Sequence, residues 1–368
     1  MRIVSAILLM LVLGVACTHE AEDPALPWGY EQPQHMEGNA SRLLQLDRDI
    51  KDGTFGDMHS LMIIKSGKVV FENYYNGYRR KDLHPLNRIT QSVFTLMAHS
   101  ALESANLNRT DLVIDLFPEY ADVFQNIPQK DRIQLIHLLD HTSGFEWNEW
   151  DFFQKAPNSN LDAMKESEDW VRYVLSTPMI REPGMEFIFN SGHAIILGAA
   201  LNKQLDASLR EYMERQLFDP LDIRHYQWDE QGSQTLNTAS GLHLTTADIG
   251  KLGYLLLNEG NWYGQQVVPE NWVDSLQSVK AQSQLYRVGK NWFKLGFNHP
   301  ARAPLAYNDV LFSWGEGGQF LVVVPHLEMV VVITAGNYDD AMENQMFDIL
   351  QNYIFPSFSY YSQPTVNP

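Results

Sequence analysis

Cysteine is almost absent from this sequence, since Cys17 is the only one among 368 residues. A single thiol excludes an internal disulfide. Its place near the N-terminus also excludes a cysteine nucleophile or a cysteine-based metal site in the rest of the chain. Basic residues are scarce as well, because 27 Lys and Arg stand against 45 Asp and Glu, for a formal net charge of −18. Affinity for nucleic acid depends on cations that neutralise phosphates, so this balance argues against nucleic acid as a partner.

Internal repeats and metal-binding motifs are absent too. No period of about 20 to 50 residues recurs along the chain. His137 and His141 are four residues apart, but the segment between them lacks the glutamate of a His-Glu-x-x-His helix, so a surface or packing role is favoured. We therefore expect neither a bound metal nor a cofactor.

The N-terminus contains an apolar run, IVSAILLMLVLGVA at residues 3–16, which follows Arg2 and ends just before Cys17. The run is shorter than the roughly 20 residues that span a bilayer, and its layout is typical of a secretory signal. Cys17 resembles the lipid-modified cysteine of bacterial lipoproteins. We predict a lipoprotein-type signal peptide at 1–17 and a polar tether at 18–40. The protein is then exported and lipid-anchored in the bacterial envelope, on the periplasmic or outer-membrane side, with plain secretion as the alternative.

Strand-like segments lie at both ends of the remaining chain, with helix-like segments between them. Residues 59–75 and 318–337 each hold two Val- and Ile-rich runs joined by a short turn, which predicts two β-hairpins. We predict an α/β (α+β) fold, in which a mostly antiparallel sheet from the two ends is flanked by helices and carries a large helical insertion. The predicted boundaries are a domain at 41–356, with its sheet part at 41–90 and 285–356 and its helical part at 91–284, and a tail at 357–368.

Five stretches resemble, in chain order, the serine β-lactamase and penicillin-binding-protein-like hydrolases, in particular the esterase and amide-hydrolase branch near class C β-lactamases. They are LMIIKSGKVVFENYYNGY, LIHLLDHTSGFEWNE, REPGMEFIFNSGHAIILGAAL, ASGLHLTTADIGKLGYLLLNEGNWYGQQVVPENWV and WGEGGQFLVVVP. Each stretch is weak alone, but their order and spacing identify the chain as a member from about residue 45 to 355. The resemblance implies a β-lactamase/transpeptidase-like fold.

The family's chemistry uses a serine nucleophile, a lysine three residues later, a tyrosine, and a lysine or histidine at a sheet edge. Two backbone N–H groups stabilise the oxyanion. Carried over motif by motif, the four side-chain positions fall on Arg88, Gln91, Phe189 and Glu316. The resemblance places the two oxyanion donors at the backbone N–H groups of Arg88 and Gln319.

None of these four side chains can perform the family's reaction. A guanidinium stays protonated and has no usable lone pair, a glutamine does not titrate, and a phenylalanine lacks the tyrosine hydroxyl. Loss of a serine nucleophile alone costs several orders of magnitude in turnover. The sequence therefore predicts that the acyl-enzyme route is unavailable and argues against an enzyme, without deciding the matter.

Other polar side chains near the motifs are weaker candidates for the lost roles. Ser92 points about 100° away from Gln91 around the helix and has no lysine near it in sequence. Ser191 and His193 bring a hydroxyl and an imidazole close together, but Ser191 is better explained as a helix N-cap. His141 lies in a turn, where a structural role is favoured.

Arg88 and Glu316 occupy positions that face each other across the family's cleft. We predict that they form an ion pair, with Gln91 hydrogen-bonded to one of them. Charged groups farther apart than roughly 6 Å would contradict this pairing. The alternative is that both side chains face solvent independently.

The predicted function is ligand binding or scaffolding by a catalytically disabled family member. The expected ligand is a small molecule, peptide or cell-wall fragment, with an acidic group held by the guanidinium. Two alternatives stay open: a hydrolase of esters, amides or β-lactams with an altered mechanism, and a structural protein that docks a partner. The predicted binding-cleft residues are Arg88, Gln91, Trp147, Phe189, Asn190, Trp314, Glu316 and Gln319.

Overall fold

A computed structural model describes most of the chain. The described residues are 26–36, 39–125, 127–151, 154–155, 158–231, 235–282, 286–295, 310–338 and 345–358. Cys17, the predicted signal peptide and the first part of the predicted tether lie outside these residues. Within these ranges, no helix is both long enough and apolar enough to cross a bilayer.

The longer strands lie towards both ends of the described chain, as the sequence predicts, and the region between them holds most of the helices together with short strands. The strands are β1 (Gly29–Tyr30), β2 (Met58–Lys65), β3 (Lys68–Tyr74), β4 (His84–Pro85), β5 (Trp150–Asp151), β6 (Gln154–Lys155), β7 (Gln227–Trp228), β8 (Glu230–Gln231), β9 (Thr235–Leu236), β10 (Leu242–Leu244), β11 (Asn261–Trp262), β12 (Gln265–Gln266), β13 (Ala281–Gln282), β14 (Tyr286–Val288), β15 (Phe293–Leu295), β16 (Leu311–Gly315), β17 (Gln319–Val324) and β18 (Met329–Ala335). The helices are α1 (Ala40–Lys51), α2 (Ile89–Ser104), α3 (Val113–Leu116), α4 (Ala121–Phe124), α5 (Leu135–Leu139), α6 (Asn160–Glu166), α7 (Trp170–Ser176), α8 (Gly192–Gln204), α9 (Leu209–Met213), α10 (Thr246–Leu257), α11 (Glu270–Leu276), α12 (Gln345–Ile349) and α13 (Phe355–Phe358).

Nine strands form the main sheet in the order β1-β3-β2-β18-β17-β16-β15-β14-β13. Every neighbouring pair is antiparallel except β1 and β3. The predicted fold class is therefore confirmed, including a sheet assembled from the two ends of the chain.

Both predicted hairpins are present. Strands β2 and β3 are joined by Ser66 and Gly67, whose φ angles of +48° and +70° match the left-handed turn that suits a twisted two-stranded hairpin. Strands β17 and β18 are joined through a short 3-10 turn at Pro325–Leu327. Their Val-rich runs are buried throughout, because helices cover both faces of the sheet. One face carries α2 and α10, and the other carries α1 and the C-terminal helices.

Three predicted boundaries shift once the chain is folded. The tether predicted at 18–40 includes β1, which pairs with β3, and Trp28, which is 5% exposed and packs edge-on against Tyr254. The sheet already includes β13, ahead of the predicted boundary at 285. Helix α13 continues to Phe358, which is 3% exposed, inside the predicted tail. In the first and last cases, burying a large aromatic side chain favours an ordered segment where the polar surroundings suggested a loop.

Candidate functional site

Helix α2 places Arg88 at its N-terminal end. The Arg88 backbone is already helical, while the preceding Asn87 has a φ of +48°. The Asn87 side chain donates a 2.7 Å hydrogen bond to the backbone carbonyl of Glu316. Gly315, the last residue of β16, permits this close approach, since a Cβ atom there would lie 2.3 Å from the Leu86 carbonyl oxygen. The start of α2 and the end of β16 therefore meet directly.

The guanidinium of Arg88 lies against two aromatic rings. Its central carbon is 3.6 Å from the ring centroid of Trp314 and 5.3 Å from that of Phe189, and the residue is 5% exposed. A cation held over an aromatic face away from water gains about 2 kcal/mol. The stacking fixes the guanidinium in place, and a guanidinium offers neither a nucleophile nor a base.

Arg88 and Glu316 form the predicted ion pair. Their closest charged atoms, Arg88 Nε and Glu316 Oε1, are 3.7 Å apart. This is well within the roughly 6 Å beyond which the predicted pairing would be contradicted. The backbone N–H of Arg88 also donates to Glu316 Oε2 at 3.3 Å. Because both partners lose hydration and both contacts are long, the pair need not add much to stability. One of the two expected oxyanion donors thus faces a carboxylate of the protein itself.

Gln319 supplies the other expected donor position, at the start of β17 opposite Gly315. Its side-chain amide donates to the carbonyl of Ala335 at 2.6 Å and to that of Glu316 at 3.4 Å. The side chain therefore ties strand ends together and does not extend into a cleft.

Gln91 does not bond to the ion pair, and this part of the prediction is wrong. Its side-chain amide nitrogen donates instead to the Ser191 hydroxyl at 2.7 Å. Ser191 is available because its own hydroxyl hydrogen is used on the Glu149 carboxylate at 2.5 Å, which leaves its lone pairs for Gln91. The amide oxygen of Gln91 is buried without a hydrogen-bond partner among the described residues.

Glu149 is a buried carboxylate that the sequence analysis missed. It is 2% exposed and accepts hydrogen bonds from the Trp147 indole at 2.7 Å and from the Ser191 backbone at 2.9 Å, besides the Ser191 hydroxyl. Burial raises the pKa of Glu149, while the nearby positive charge of Arg88 and the bonds from Ser191 oppose that rise. No sequence signal marks it, because Glu146 lies in the same loop and is exposed.

The helix-capping role predicted for the Ser191 side chain is also wrong. It occupies the N-cap position of α8, but its side chain makes no capping hydrogen bond. The hydroxyl is committed to Glu149, and the N-cap backbone is itself helical, a conformation in which side-chain capping is unusual.

His141 and His193 are neutral, buried side chains. The Nδ1 atom of His141 accepts from the Asn190 backbone at 3.2 Å, so its Nε2–H donates to Asn291 at 2.9 Å. Burial lowers the pKa of His141 to about 4 and that of His193 well below its usual value. The hydroxyl that lies against His193 is that of Ser143, 2.7 Å from Nε2, and not that of Ser191.

The His141 ring also stacks on Phe189, with centroids 4.8 Å apart and planes 15° apart. The Trp314 indole, the Arg88 guanidinium, the Phe189 ring and the His141 imidazole therefore form a series of pairwise contacts at the site. The structural role predicted for His141 is supported by these contacts.

The remaining candidates are also packed inside. Ser92 donates to the carbonyl of Asn291 at 2.6 Å and is 1% exposed, without a neighbouring base among its described contacts. The expected wall residues Trp147, Trp314 and Asn190 are 7%, 3% and 1% exposed. The Asn190 side-chain oxygen accepts from the backbone of Gly192 at 2.8 Å. These side chains form the inner support of the site and expose little surface.

No group of three or more His, Cys, Asp or Glu side chains within the described part of the chain could hold a metal ion. His137 uses its Nδ1 atom to accept the backbone N–H of Gln134 at the start of α5, which is a local structural role.

A family model described as Beta-lactamase matches residues 56–350, which is most of the chain. This chain belongs to the beta-lactamase family. The match confirms the resemblance to the serine β-lactamase and penicillin-binding-protein-like proteins, and it agrees with the observed sheet and helix order.

Curated relatives include proteins described as "Putative D-alanyl-D-alanine carboxypeptidase" from Salmonella paratyphi B and Salmonella typhi. Each is 23% identical over 186 residues, which cover 45% of this chain and 42% of the relative. The chain thus spans less than half the length of these relatives.

Solved structures with the same fold include "Putative 6-aminohexanoate-dimer hydrolase from Bacillus anthracis", with 17% identity, 84% and 82% of the two chains covered, and a TM-score of 0.62. A second is "EstCE1, a hydrolase with promiscuous acyltransferase activity", with 16% identity, 87% and 99% coverage, and a TM-score of 0.66. At these identities the likeness shows the fold alone.

Proposed function

We propose that this protein is a catalytically disabled beta-lactamase-family member that binds a ligand, or acts as a scaffold, without acyl-enzyme turnover. One observation carries the proposal. At the helix start where the family places its nucleophile, the Arg88 guanidinium is held on the Trp314 ring and paired with Glu316.

The surrounding side chains support the same conclusion. Gln91 lies one helical turn from Arg88, where the family resemblance implies a lysine, and its amide is engaged with Ser191. Phe189 offers a ring face to the guanidinium but no hydroxyl. None of these three side chains can take a proton from a nucleophile near neutral pH, because the guanidinium is already protonated and the amide and phenyl groups are not basic.

The chemistry of the site favours a ligand with a carboxylate. A buried guanidinium beside a backbone N–H at the start of a long helix is a favourable environment for an anion. A peptide or cell-wall fragment with a free carboxyl end carries such a group. The descriptions of the Salmonella relatives name a peptide substrate of this kind, which agrees with the proposed ligand class.

We also propose that the protein is exported and anchored in the bacterial envelope through a lipid on Cys17. The test is the distribution of the expressed protein between membrane and soluble fractions, with mass spectrometry of the mature N-terminus. Cys17→Ser should move the protein to the soluble fraction. Equal distribution of wild type and variant would argue against the anchor.

Turnover assays test the main proposal. Purified protein should show no hydrolysis of p-nitrophenyl esters, D-aminoacyl amides or nitrocefin, and no covalent labelling by a fluorescent penicillin. A thermal-shift screen with peptides and cell-wall fragments should then find ligands that stabilise the wild type but not Arg88→Met, which keeps the apolar stem and removes the charge. Turnover that survives purification and is lost on mutation of the site would overturn the proposal. If there is neither turnover nor ligand, the protein is better explained as a structural partner-docking protein.

The second candidate is a hydrolase with an altered mechanism, favoured by the Ser191–Glu149 contact. The Ser191 hydroxyl is 2.5 Å from a carboxylate whose pKa is raised by burial, which is the arrangement of a nucleophile beside a base. In that case any measured turnover must disappear in both Ser191→Ala and Glu149→Gln. Turnover that persists in these variants excludes this mechanism.

A further inference from the structure

We infer that the Glu316 side chain is an internal competitor at an anion site, and that a ligand carboxylate binds by displacing it. The inference rests on the proposed function, since it names how a bound ligand is recognised. It concerns the two oxygen atoms that Glu316 presents to Arg88.

The position itself is an anion site because a carboxylate already occupies it. Glu316 Oε2 accepts the backbone N–H of Arg88, and Glu316 Oε1 faces Arg88 Nε. These two donors belong to one residue at the start of α2, a helix of 16 residues, so the helix dipole adds to the attraction. A carboxylate from outside would meet the same backbone and side-chain donors.

The resident carboxylate is held loosely. Its contacts are 3.3 Å and 3.7 Å, whereas charge-assisted hydrogen bonds between nitrogen and oxygen are about 2.7 to 2.9 Å. The Glu316 backbone, by contrast, is fixed, because its carbonyl accepts from the Asn87 side chain at 2.7 Å. The next two residues, Gly317 and Gly318, have no side chains that could confine the glutamate.

The guanidinium is held more firmly than the carboxylate. It is stacked at 3.6 Å on Trp314, and Arg88 is 5% exposed, while the Glu316 side chain is 18% exposed. The glutamate is therefore the partner that we expect to move. When it rotates towards solvent, the Arg88 donors become available to another carboxylate, and no rearrangement of the helix is needed.

The charges already at the site lead us to expect that a ligand carboxylate displaces Glu316 and does not bind beside it. Glu149 is buried and in electrostatic contact with Arg88, so the site already contains two carboxyl groups and one guanidinium. A third carboxylate beside both would be repelled at short range. The ligand class is thus a monocarboxylate that takes the place of Glu316. The apparent affinity equals the intrinsic affinity multiplied by the fraction of molecules in which Glu316 has left the site.

The test measures binding of N-acetylglycine, and of its uncharged amide N-acetylglycinamide, by ligand-observed NMR titration. The proteins are wild type, Glu316→Gln, Glu316→Asp and Glu316→Gln combined with Arg88→Met. Glu316→Asp is the matched control for charge, because it keeps the carboxylate but shortens the side chain so that it no longer reaches Arg88. Thermal denaturation of each variant confirms that it is folded.

We expect both single variants to bind N-acetylglycine about tenfold more tightly than wild type, with no gain for the amide and loss of the gain in the double variant. No gain in Glu316→Gln overturns the inference, as does the absence of binding in every variant. A gain in Glu316→Gln alone means that the glutamate acts by repulsion without being displaced, which also overturns it. Different results would overturn the proposed function: turnover by the wild type, or ligands whose binding does not depend on Arg88.

Discussion

Gln91 and Ser191, which are 100 positions apart in the chain, are joined by a 2.7 Å hydrogen bond from amide to hydroxyl. The bond connects α2 to the start of α8, and Ser191 passes the connection on to Glu149. Because Gln91 is a neutral amide, Glu149 has three hydrogen-bond donors and the nearby charge of Arg88, but not the ammonium that the family resemblance implies at position 91. The network holds the two helices and the Trp147 loop around the guanidinium.

Ser191→Ala should destabilise the protein strongly. The substitution removes a donor from a buried carboxylate oxygen and an acceptor from a buried amide, and a buried group left unsatisfied costs about 1 to 3 kcal/mol. We expect a loss of about 3 kcal/mol in the free energy of unfolding, measured by urea denaturation. Ser104→Ala, which removes a more exposed hydroxyl at the end of α2, is the control and should change stability by less than about 0.5 kcal/mol. Equal effects of the two substitutions would contradict the role of the network.

Glu149→Gln should change how stability depends on pH. Burial raises the folded-state pKa of Glu149 above its ordinary value of 4.5, so the folded protein binds more protons than the unfolded chain in that window. The contribution of Glu149 to the free energy of unfolding therefore falls as pH rises above about 4.5, and the variant lacks this contribution. Denaturant titrations from pH 4.5 to 8 should show the variant gaining stability relative to wild type. Glu146→Gln, at an exposed position in the same loop, should run parallel to wild type, and a parallel course for Glu149→Gln would refute the prediction.

His141→Asn should reduce acid sensitivity. Burial lowers the pKa of His141 from 6.5 to about 4. Between these pH values the unfolded chain binds a proton at this residue that the folded protein does not bind. The stability that this neutral ring provides is present above pH 6.5 and is lost as pH falls from 6.5 to 4, by about 3 kcal/mol for one such group. Asparagine tolerates the φ of +55° and keeps an acceptor near the Asn190 backbone.

The measurement is the free energy of unfolding at several pH values between 7 and 4, for His141→Asn and for the control His35→Asn at an exposed histidine. The slope against pH should decrease by about one proton in the first variant only. An unchanged slope in His141→Asn would show that the buried ring does not govern acid stability.

Gly315→Ala should disrupt the contact between β16 and α2. The added Cβ atom would lie 2.3 Å from the Leu86 carbonyl oxygen and 3.2 Å from the Arg88 nitrogen, and a backbone atom cannot move aside cheaply. Overpacking of this kind costs about 3 kcal/mol. Gly29→Ala is the matched control, because its Cβ atom meets only the end of the Lys68 side chain at 3.5 Å. Similar melting temperatures for the two variants would disprove the close approach.

The sheet could be predicted because local sequence patterns indicate how its strands are paired and buried. The runs of β17 and β18 are Val-rich without alternation, and Ser66 and Gly67 are turn residues, so pairing and double-sided burial follow from local patterns. The ion pair between Arg88 and Glu316 was also predictable, because two opposite charges fell on facing positions of a recognisable frame.

The rest of the site could not be predicted, because long-range packing determines which side chains become hydrogen-bond partners. Gln91 could bond to any acceptor at the site, and only the folded chain shows that Ser191 is nearest. Glu149 and Glu146 are equivalent in sequence, and the direction of one loop decides which is buried. Likewise, a serine before a helix suggests a cap, until a buried carboxylate competes for its hydroxyl.

The pairing of β2 with β18 has a consequence for how the protein is made. These two strands are far apart in the chain, and their pairing aligns Ile63 with Val331. Until β18 is available, β2 pairs only with β3, and this hairpin with the two-residue β1 on its other edge is marginally stable in water. Contacts between such distant segments slow folding, because the loop between them must close before they contribute. Synthesis must therefore reach Ala335 before the sheet can assemble around β18, and until then the apolar strands are exposed to aggregation.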